Sequence, residues 1–259
     1  MHIVVLLKAV PVVGTERLDA QQRTERAQLE SNGNDEYVLE KALKLADANP
    51  GTEVSLLSMG PAAAMDALRK ALAMGATRAY HVQDAGLAGS SVRATVDVLA
   101  AALGKLEFDL VFAGADSSDG LGGVVGAALA ARLGLPYLSY ASEVEPAADG
   151  SSVRIHRLSP SGYDVLEAPT PALVMGTQLL GEPRYPSLRG IMQARSKETV
   201  TWSLADLGMD PGAAGTNAAE TRVVGADPPS QRGGATVIKE PPDVAAQQVV
   251  DFLAARRLI

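Results

Sequence analysis

Ile3-Val4-Val5-Leu6-Leu7 is an unbroken run of β-branched and aliphatic side chains, and its reading sets the class of the fold. A strand with one wet face alternates apolar and polar residues. An unbroken run marks a strand covered on both faces, as in a parallel sheet. Runs of the same kind recur at Val54–Leu57, Ala79–Val82, Leu110–Ala113 and Ala172–Met175, and helical patterns separate most of them. Asn34 is placed to cap a first helix, with Asp35 and Glu36 at its positive end and Val38, Leu39, Ala42, Leu43 and Ala46 on one face. A second opens at Gly60-Pro61, passes Met65, Leu68 and Leu72, and stops at Gly75. A third begins near Ser90 and puts Val92, Val96, Leu99 and Leu103 on one stripe. A fourth runs from about Gly122 to Leu133, with Gly134 as its stop and Pro136 beyond. Strands alternating with helices in this way predict an α/β fold with right-handed crossovers and a doubly wound, mostly parallel sheet.

Past Pro136 the rhythm changes. Alternation on either side of Asp149-Gly150 predicts a β-hairpin, and Ser161-Gly162 a second turn, so a β excursion precedes the last sheet strand. From about Leu180 the βα pattern ends. Pro183, Pro186, Pro211, Pro228-Pro229 and Gly233-Gly234 suggest an extended arm, closed by one helix with Asp243 as its cap and Val249, Phe252 and Leu253 along it. The expected division is an α/β domain over 1–180 and an arm over 181–259. An arm that long without its own core is expected to pack on something else, which favours a partner subunit.

Composition removes several functions. A net charge of −7 argues against a nucleic-acid surface, which needs clustered Lys and Arg. The chain has no cysteine, which excludes thiolate catalysis, disulfides and Cys-ligated metal centres. No apolar run approaches the ~20 residues of a membrane span, and the expected setting is soluble and cytoplasmic. His2, His81 and His156 form no triad or metal constellation, so no catalytic or metal-binding residue is assigned.

Chemistry is best placed at Gly114-Ala115-Asp116-Ser117-Ser118-Asp119-Gly120-Leu121-Gly122-Gly123-Val124-Val125-Gly126, which follows an apolar strand and opens a helix. Ligands of open α/β sheets bind at the carboxyl ends of strands, and free amides at a helix N-terminus suit a phosphate. Gly120, Gly122 and Gly123 allow close backbone approach, and Ser117 and Ser118 offer hydroxyls. The spacing is neither a P-loop, which needs a Lys, nor the dinucleotide fingerprint of a first strand. The competing reading is a glycine-rich connection that only packs a helix on the sheet. Met59, Met65 and Met74 read as core, and the basic residues at 184, 189, 195 and 197 as a solvated face. Any electron chemistry would have to belong to a bound cofactor.

The segment Glu182-Pro183-Arg184-Tyr185-Pro186-Ser187-Leu188-Arg189-Gly190-Ile191-Met192-Gln193-Ala194-Arg195 resembles the signature of electron-transfer flavoprotein beta subunits. The opening strand ending at Lys8, Asn32–Leu43, Met59-Gly60-Pro61, Leu68–Ala76, the Gly114 loop and Asp227-Pro228-Pro229 with Arg232 fit the same family in order. The resemblance covers nearly the whole chain. It implies a Rossmann-like fold akin to adenine-nucleotide alpha hydrolases, and an electron carrier rather than an enzyme acting alone. It also implies a heterodimer with an alpha subunit that holds most of an FAD. Flavin dehydrogenases, such as those of acyl-CoA oxidation, would be the donors, and a quinone-linked oxidoreductase the acceptor. The beta subunit would bury a structural AMP, whose contacts map onto Leu6, Asn32, Asn34, Asp35, Met59, Gly114, Ser117, Ser118, Asp119, Gly120, Leu121, Gly122, Gly123, Val124 and Val125. Partner recognition would fall on Tyr185, Leu188, Ile191 and Met192, with Leu188 as the exposed anchor; the competing reading packs Leu188 beneath the loop.

The chain departs from that family's pattern in places. Gly123-Val124-Val125 replaces Asn-Gln-Thr side chains on the phosphate, Val13 replaces an aromatic residue near the flavin, and Leu158 replaces a glutamate while Arg157 is kept. Asp119-Gly120 and Val125-Gly126 are also similar to flavin-bifurcating members, whose beta subunit carries a second FAD. Two other classes compete: a stand-alone regulator of the universal-stress type, which normally ends soon after the last strand, and an ATP pyrophosphatase-like enzyme. The latter needs a serine- and glycine-rich loop where this chain has Lys8-Ala9-Val10-Pro11-Val12-Val13.

Overall fold

Strand β1 (His2–Leu6) lies inside a nine-stranded sheet, between β4 (Glu53–Met59) and β6 (Leu110–Gly114), and is parallel to both. This is a computed structural model, and it describes residues 1–221, 223–227 and 234–259. Pro228-Pro229, Arg232 and Gly233, which the sequence reading used for the tail and the arm, lie outside the described residues. The remaining elements follow in chain order. A small antiparallel pair, β2 (Ala9–Pro11) and β3 (Leu29–Ser31), precedes α1 (Gly33–Ala48). After β4 come α2 (Ala64–Met74), β5 (Arg78–Val82) and α3 (Val92–Leu103), and after β6 comes α4 (Val125–Leu133). Then follow β7 (Tyr137–Pro146), β8 (Ser152–Ser159), β9 (Gly162–Pro169), β10 (Ala172–Gly176), α5 (Leu188–Ala194), β11 (Thr199–Trp202) and α6 (Pro242–Ala255).

The sheet order is β11-β5-β4-β1-β6-β10-β7-β8-β9, with all strands running the same way except β8, which pairs antiparallel with β7 and β9. The unbroken apolar run of β1 is explained by where its residues point. Ile3 and Val5 join a core with α1 and α2, while Val4 and Leu6 join a second core with α3 and α4. Alternate side chains of a strand leave opposite faces, so a strand covered on both sides buries every position and favours apolar residues throughout. The β excursion and its turns at Gly150 and Gly162 are as expected from the alternation.

Several boundaries move. The N-cap of α1 is Asn32 rather than Asn34, and neither side chain caps the helix, because both reach across to the loop after β6. Helix α2 starts at Ala64, three residues past Pro61. Ser91 caps α3, and Val92 is exposed rather than on the buried stripe. Helix α4 starts at Val125 because Leu121 and Gly123 take positive φ, which a right-handed helix cannot contain. In α6, Pro242 holds the first position and Asp243 lies inside the first turn instead of capping it.

The larger correction concerns residues 181–259, which are not one arm. The chain divides into two compact units, Met1–Val224 and Gly225–Ile259. Helix α5 and strand β11 belong to the first. β11 extends the sheet beside β5, and Trp202 stacks on Tyr80 with ring centroids 4.9 Å apart. Gly190 of α5 comes so close to the carbonyl of Ala73 in α2 that no Cβ fits there. The 181–195 stretch reads as coil because its partners, Glu40 and Ala73, are distant in sequence. The second unit contains α6, where Arg256 lies over the Phe252 ring at 3.7 Å and no residue is buried.

Candidate functional site

Strand order reverses between β1 and β6: the chain winds from β1 outward through β4 and β5, then returns to β6 and β10. Such a switch point opens a crevice at the carboxyl ends of the strands. Leu6, Met59 and Gly114 end β1, β4 and β6 there, and Asn32, Asn34 and Asp35 open α1 beside them.

Buried polar groups stitch this crevice together. Asp35 Oδ2 accepts the Lys8 backbone N–H at 2.7 Å. Asn32 Nδ2 donates to the Asp116 carbonyl at 2.7 Å, its Oδ1 accepts the Ser118 N–H at 3.3 Å, and Asn34 Nδ2 donates to Asp116 Oδ1. Gly114 is glycine for steric reasons: a Cβ would overlap Asp35 Oδ1 and stand 2.8 Å from the Asn34 carbonyl carbon and 2.9 Å from the Asp35 nitrogen. Burial pushes the Asp35 carboxyl up to about 7, although the Lys8 N–H and Asn32 favour its charged form.

Asp119 is the other buried carboxylate, its side chain 3% exposed. Lys8 Nζ donates to its Oδ1 at 2.7 Å and to Ser117 Oγ at 2.9 Å, and Arg26 Nη2 donates to its Oδ2 at 2.7 Å. Burial opposes its ionisation, but the contacts from Lys8, Ser117 and Arg26 together hold it below the usual carboxylate range. Asp116 and Asp119 lie on one loop but face different partners, Asn34 for the first and Lys8 with Arg26 for the second.

Above this packed floor, Gly120–Val124 are exposed. Val124 caps α4 without a side-chain bond, the first turn carries no acidic residue, and the amides of Gly122, Gly123, Val124 and Val125 find no acceptor among the described residues. Unpaired amides at a helix N-terminus, reached through a glycine loop with open space at Gly122, fit a phosphate group. A nucleotide held here would meet Ser117, Ser118 and the Gly120–Val125 backbone, with Leu6, Asn32, Asp35 and Met59 along the strand ends. The geometry thus brings together the residues expected from sequence, and adds Lys8 and Arg26, which that reading did not assign. Lys8 was visible only as the end of the first strand. Arg26 had no signal, because it lies in the β2–β3 connection, far from the loop in sequence.

The second expected surface is exposed and apolar: Tyr185 is 95%, Leu188 77%, Met192 69% and Ile191 48% accessible. Leu188 is therefore not packed beneath the loop. Behind it, Arg184 is not a solvated cation. It binds Glu40 through Nε at 2.8 Å and Nη2 at 3.1 Å, and Asp47 at 2.8 Å. Lys197 likewise donates to the carbonyls of Leu72 and Ala76, at 2.8 and 2.6 Å, closing the C-terminus of α2. Arg157 is tied to Asp164 at 2.8 Å, and Val13 and Leu158 are exposed. Glu143, Glu145 and His156 converge within 4.8 Å on the hairpin, but they are solvent-accessible and Glu143 already pairs with His156.

A model of the electron transfer flavoprotein domain matches residues 23–207. The electron transfer flavoprotein subunit beta of Clostridium acetobutylicum is 37% identical over the whole of both chains. That of Mycobacterium bovis is 37% identical over 100% of this chain and 99% of the relative. The caffeyl-CoA reductase-Etf complex subunit CarD of Acetobacterium woodii is 35% identical over both full lengths. On this full-length similarity, together with the switch-point crevice, the chain belongs to the electron transfer flavoprotein beta-subunit family.

Proposed function

We propose that the chain is the beta subunit of a heterodimeric electron carrier, paired with an alpha subunit that holds most of an FAD, and has no independent catalytic activity. Electrons would come from flavin dehydrogenases, such as those acting on acyl-CoA, and leave to a quinone-linked oxidoreductase, in a cytoplasmic setting. The bound flavin would supply the redox chemistry. This chain's own part is to bury an AMP in the crevice, to contact the alpha subunit through residues beyond 181, and to present Tyr185, Leu188, Ile191 and Met192 to the donor. The observation that carries the AMP reading is the uncapped start of α4 at the switch point, open to solvent above a floor that Gly114 and Asp35 leave no room to alter. No helix among the described residues is long and apolar enough to cross a membrane.

A second reading follows from the similarity to a subunit of a caffeyl-CoA reductase-Etf complex: a second FAD in place of AMP, in a flavin-bifurcating carrier. Co-expression with an alpha-type subunit, followed by release and quantification of bound nucleotides, separates the two. One AMP and one FAD per heterodimer is the expected result. Two FAD and no AMP would establish the second reading, and a complex free of adenine nucleotide would overturn both.

A further inference from the structure

We propose that Lys8 and Arg26, clamped by Asp119, are the charged ligands of the nucleotide's phosphate in this subunit. The inference rests on the nucleotide reading above and adds the residues that would neutralise the phosphate. It starts from an electrostatic imbalance. The N-terminus of α4 carries the positive end of a helix dipole with neither a capping side chain nor an acid in its first turn. Beside it stand two cations sharing one carboxylate, a local surplus of one positive charge. Lys8 Nζ lies 3.8 Å from where a Cβ on Gly120 would be, two residues before the first unpaired amide.

Apart from Asp119, no acid among the described residues forms an ion pair with Lys8 or Arg26. Asp116 on the same loop is turned toward Asn34 at α1, and Asp35 accepts the Lys8 backbone N–H from within the floor. A buried carboxylate needs one good cationic partner, and Asp119 has two. Both remain partly open to solvent, with side chains 40% and 30% exposed. Lys8 has used two of its three N–H donors, on Ser117 and Asp119. Arg26 has spent one on the Ala9 carbonyl and one on Asp119, which leaves most of its fork free. Partly exposed positive groups with spare donors, bound through Asp119 to the loop that carries the unpaired amides, are stabilised by an anion between them. Ser117 and Asp119 fix the Lys8 ammonium, and Asp119 and Ala9 fix the guanidinium, so neither has to be ordered when the phosphate arrives.

The test uses the full chain with its alpha subunit, stripped of bound nucleotide, and titrates AMP and adenosine separately into the wild type, Lys8→Met and Arg26→Gln. Each substitution is expected to weaken AMP roughly tenfold or more, the scale of a charge-assisted hydrogen bond, while adenosine binding stays within about twofold. The AMP-to-adenosine ratio separates a phosphate ligand from a residue that only supports the fold, since a distorted crevice would weaken both. AMP binding unchanged in both variants, or AMP and adenosine falling together, would overturn the assignment while leaving the nucleotide site standing. Wild type that binds neither would remove the reading on which it rests.

Discussion

The loop Gly120–Val124 and the face of Tyr185, Leu188 and Met192 are both exposed, but they offer opposite chemistries. The loop presents backbone amides beside two cations; the face presents bare apolar side chains. Beneath each, the chain is packed without room for one more carbon, at Gly114 against Asp35 and at Gly190 against Ala73. The mounts differ in what holds them. Under the loop sits a desolvated carboxyl with a pKa of about 7; under the face, the Glu40 hydrogen bonds hold the Arg184 guanidinium more firmly in its charged form. The proposed anion site is thus built on a group close to titration, and the proposed docking surface on an ion pair that persists. In both, rigidity lies one layer below the residues that meet a ligand.

The largest expected effect tests the packed floor. Gly114→Val should cost more than ~3 kcal/mol, because its new side chain meets backbone that cannot move aside, whereas Gly122→Val, placed in open space, should change stability by less than ~0.5 kcal/mol. Gly122→Val should nonetheless lose bound nucleotide. Thermal melts alongside nucleotide content check the pair, and a Gly122→Val protein that keeps full nucleotide would break the assignment of the loop.

The next effect is a pH dependence. Asp35 binds its proton more tightly when folded than at the ordinary value of 3.8. Its contribution to stability is therefore greatest below about pH 4, declines as pH rises toward 7, and is flat above. The span is about 2–3 kcal/mol, less than the full shift would convert to, because hydration of the crevice softens the burial cost. Asp35→Asn keeps an acceptor for the Lys8 N–H and should flatten the difference between melts at pH 5 and pH 8. Parallel pH profiles for the two proteins would refute this.

A smaller loss is expected at the second mount. Arg184→Ala leaves the Glu40 carboxylate buried with the backbone N–H of residue 184 and, as its one cation among the described residues, Lys44 at 3.8 Å. The cost is about 2 kcal/mol, below that of a fully buried pair because Arg184 is one-third exposed. Faster proteolysis within 181–195 should accompany it. The smallest effect on the fold is expected at Leu188→Ala, under ~0.5 kcal/mol for so exposed a side chain. Electron transfer from the donor dehydrogenase should nevertheless weaken about tenfold. Stopped-flow rates beside melting curves would decide it, and early melting with normal electron transfer would reverse the comparison.

By itself the sequence determined what depends on neighbours in the chain. The buried parallel strands followed from unbroken apolar runs such as Ile3–Leu7, the hairpins from alternation around Gly150 and Gly162, and an open glycine loop from its place between an apolar strand and a helix. The family was legible in the segments at 68–76 and 182–195. Only the tertiary structure showed why those segments are needed together: Gly190 lies on Ala73, Lys197 closes α2, and Arg184 reaches Glu40. It likewise moved Asn34 from helix cap to crevice, drew 181–224 into the sheet domain, and set Lys8 and Arg26 on Asp119. These contacts join residues up to 144 positions apart. Local pattern records which face of a strand or helix is apolar, but a buried charge selects its partner by position in space, which exists only once the sheet has formed.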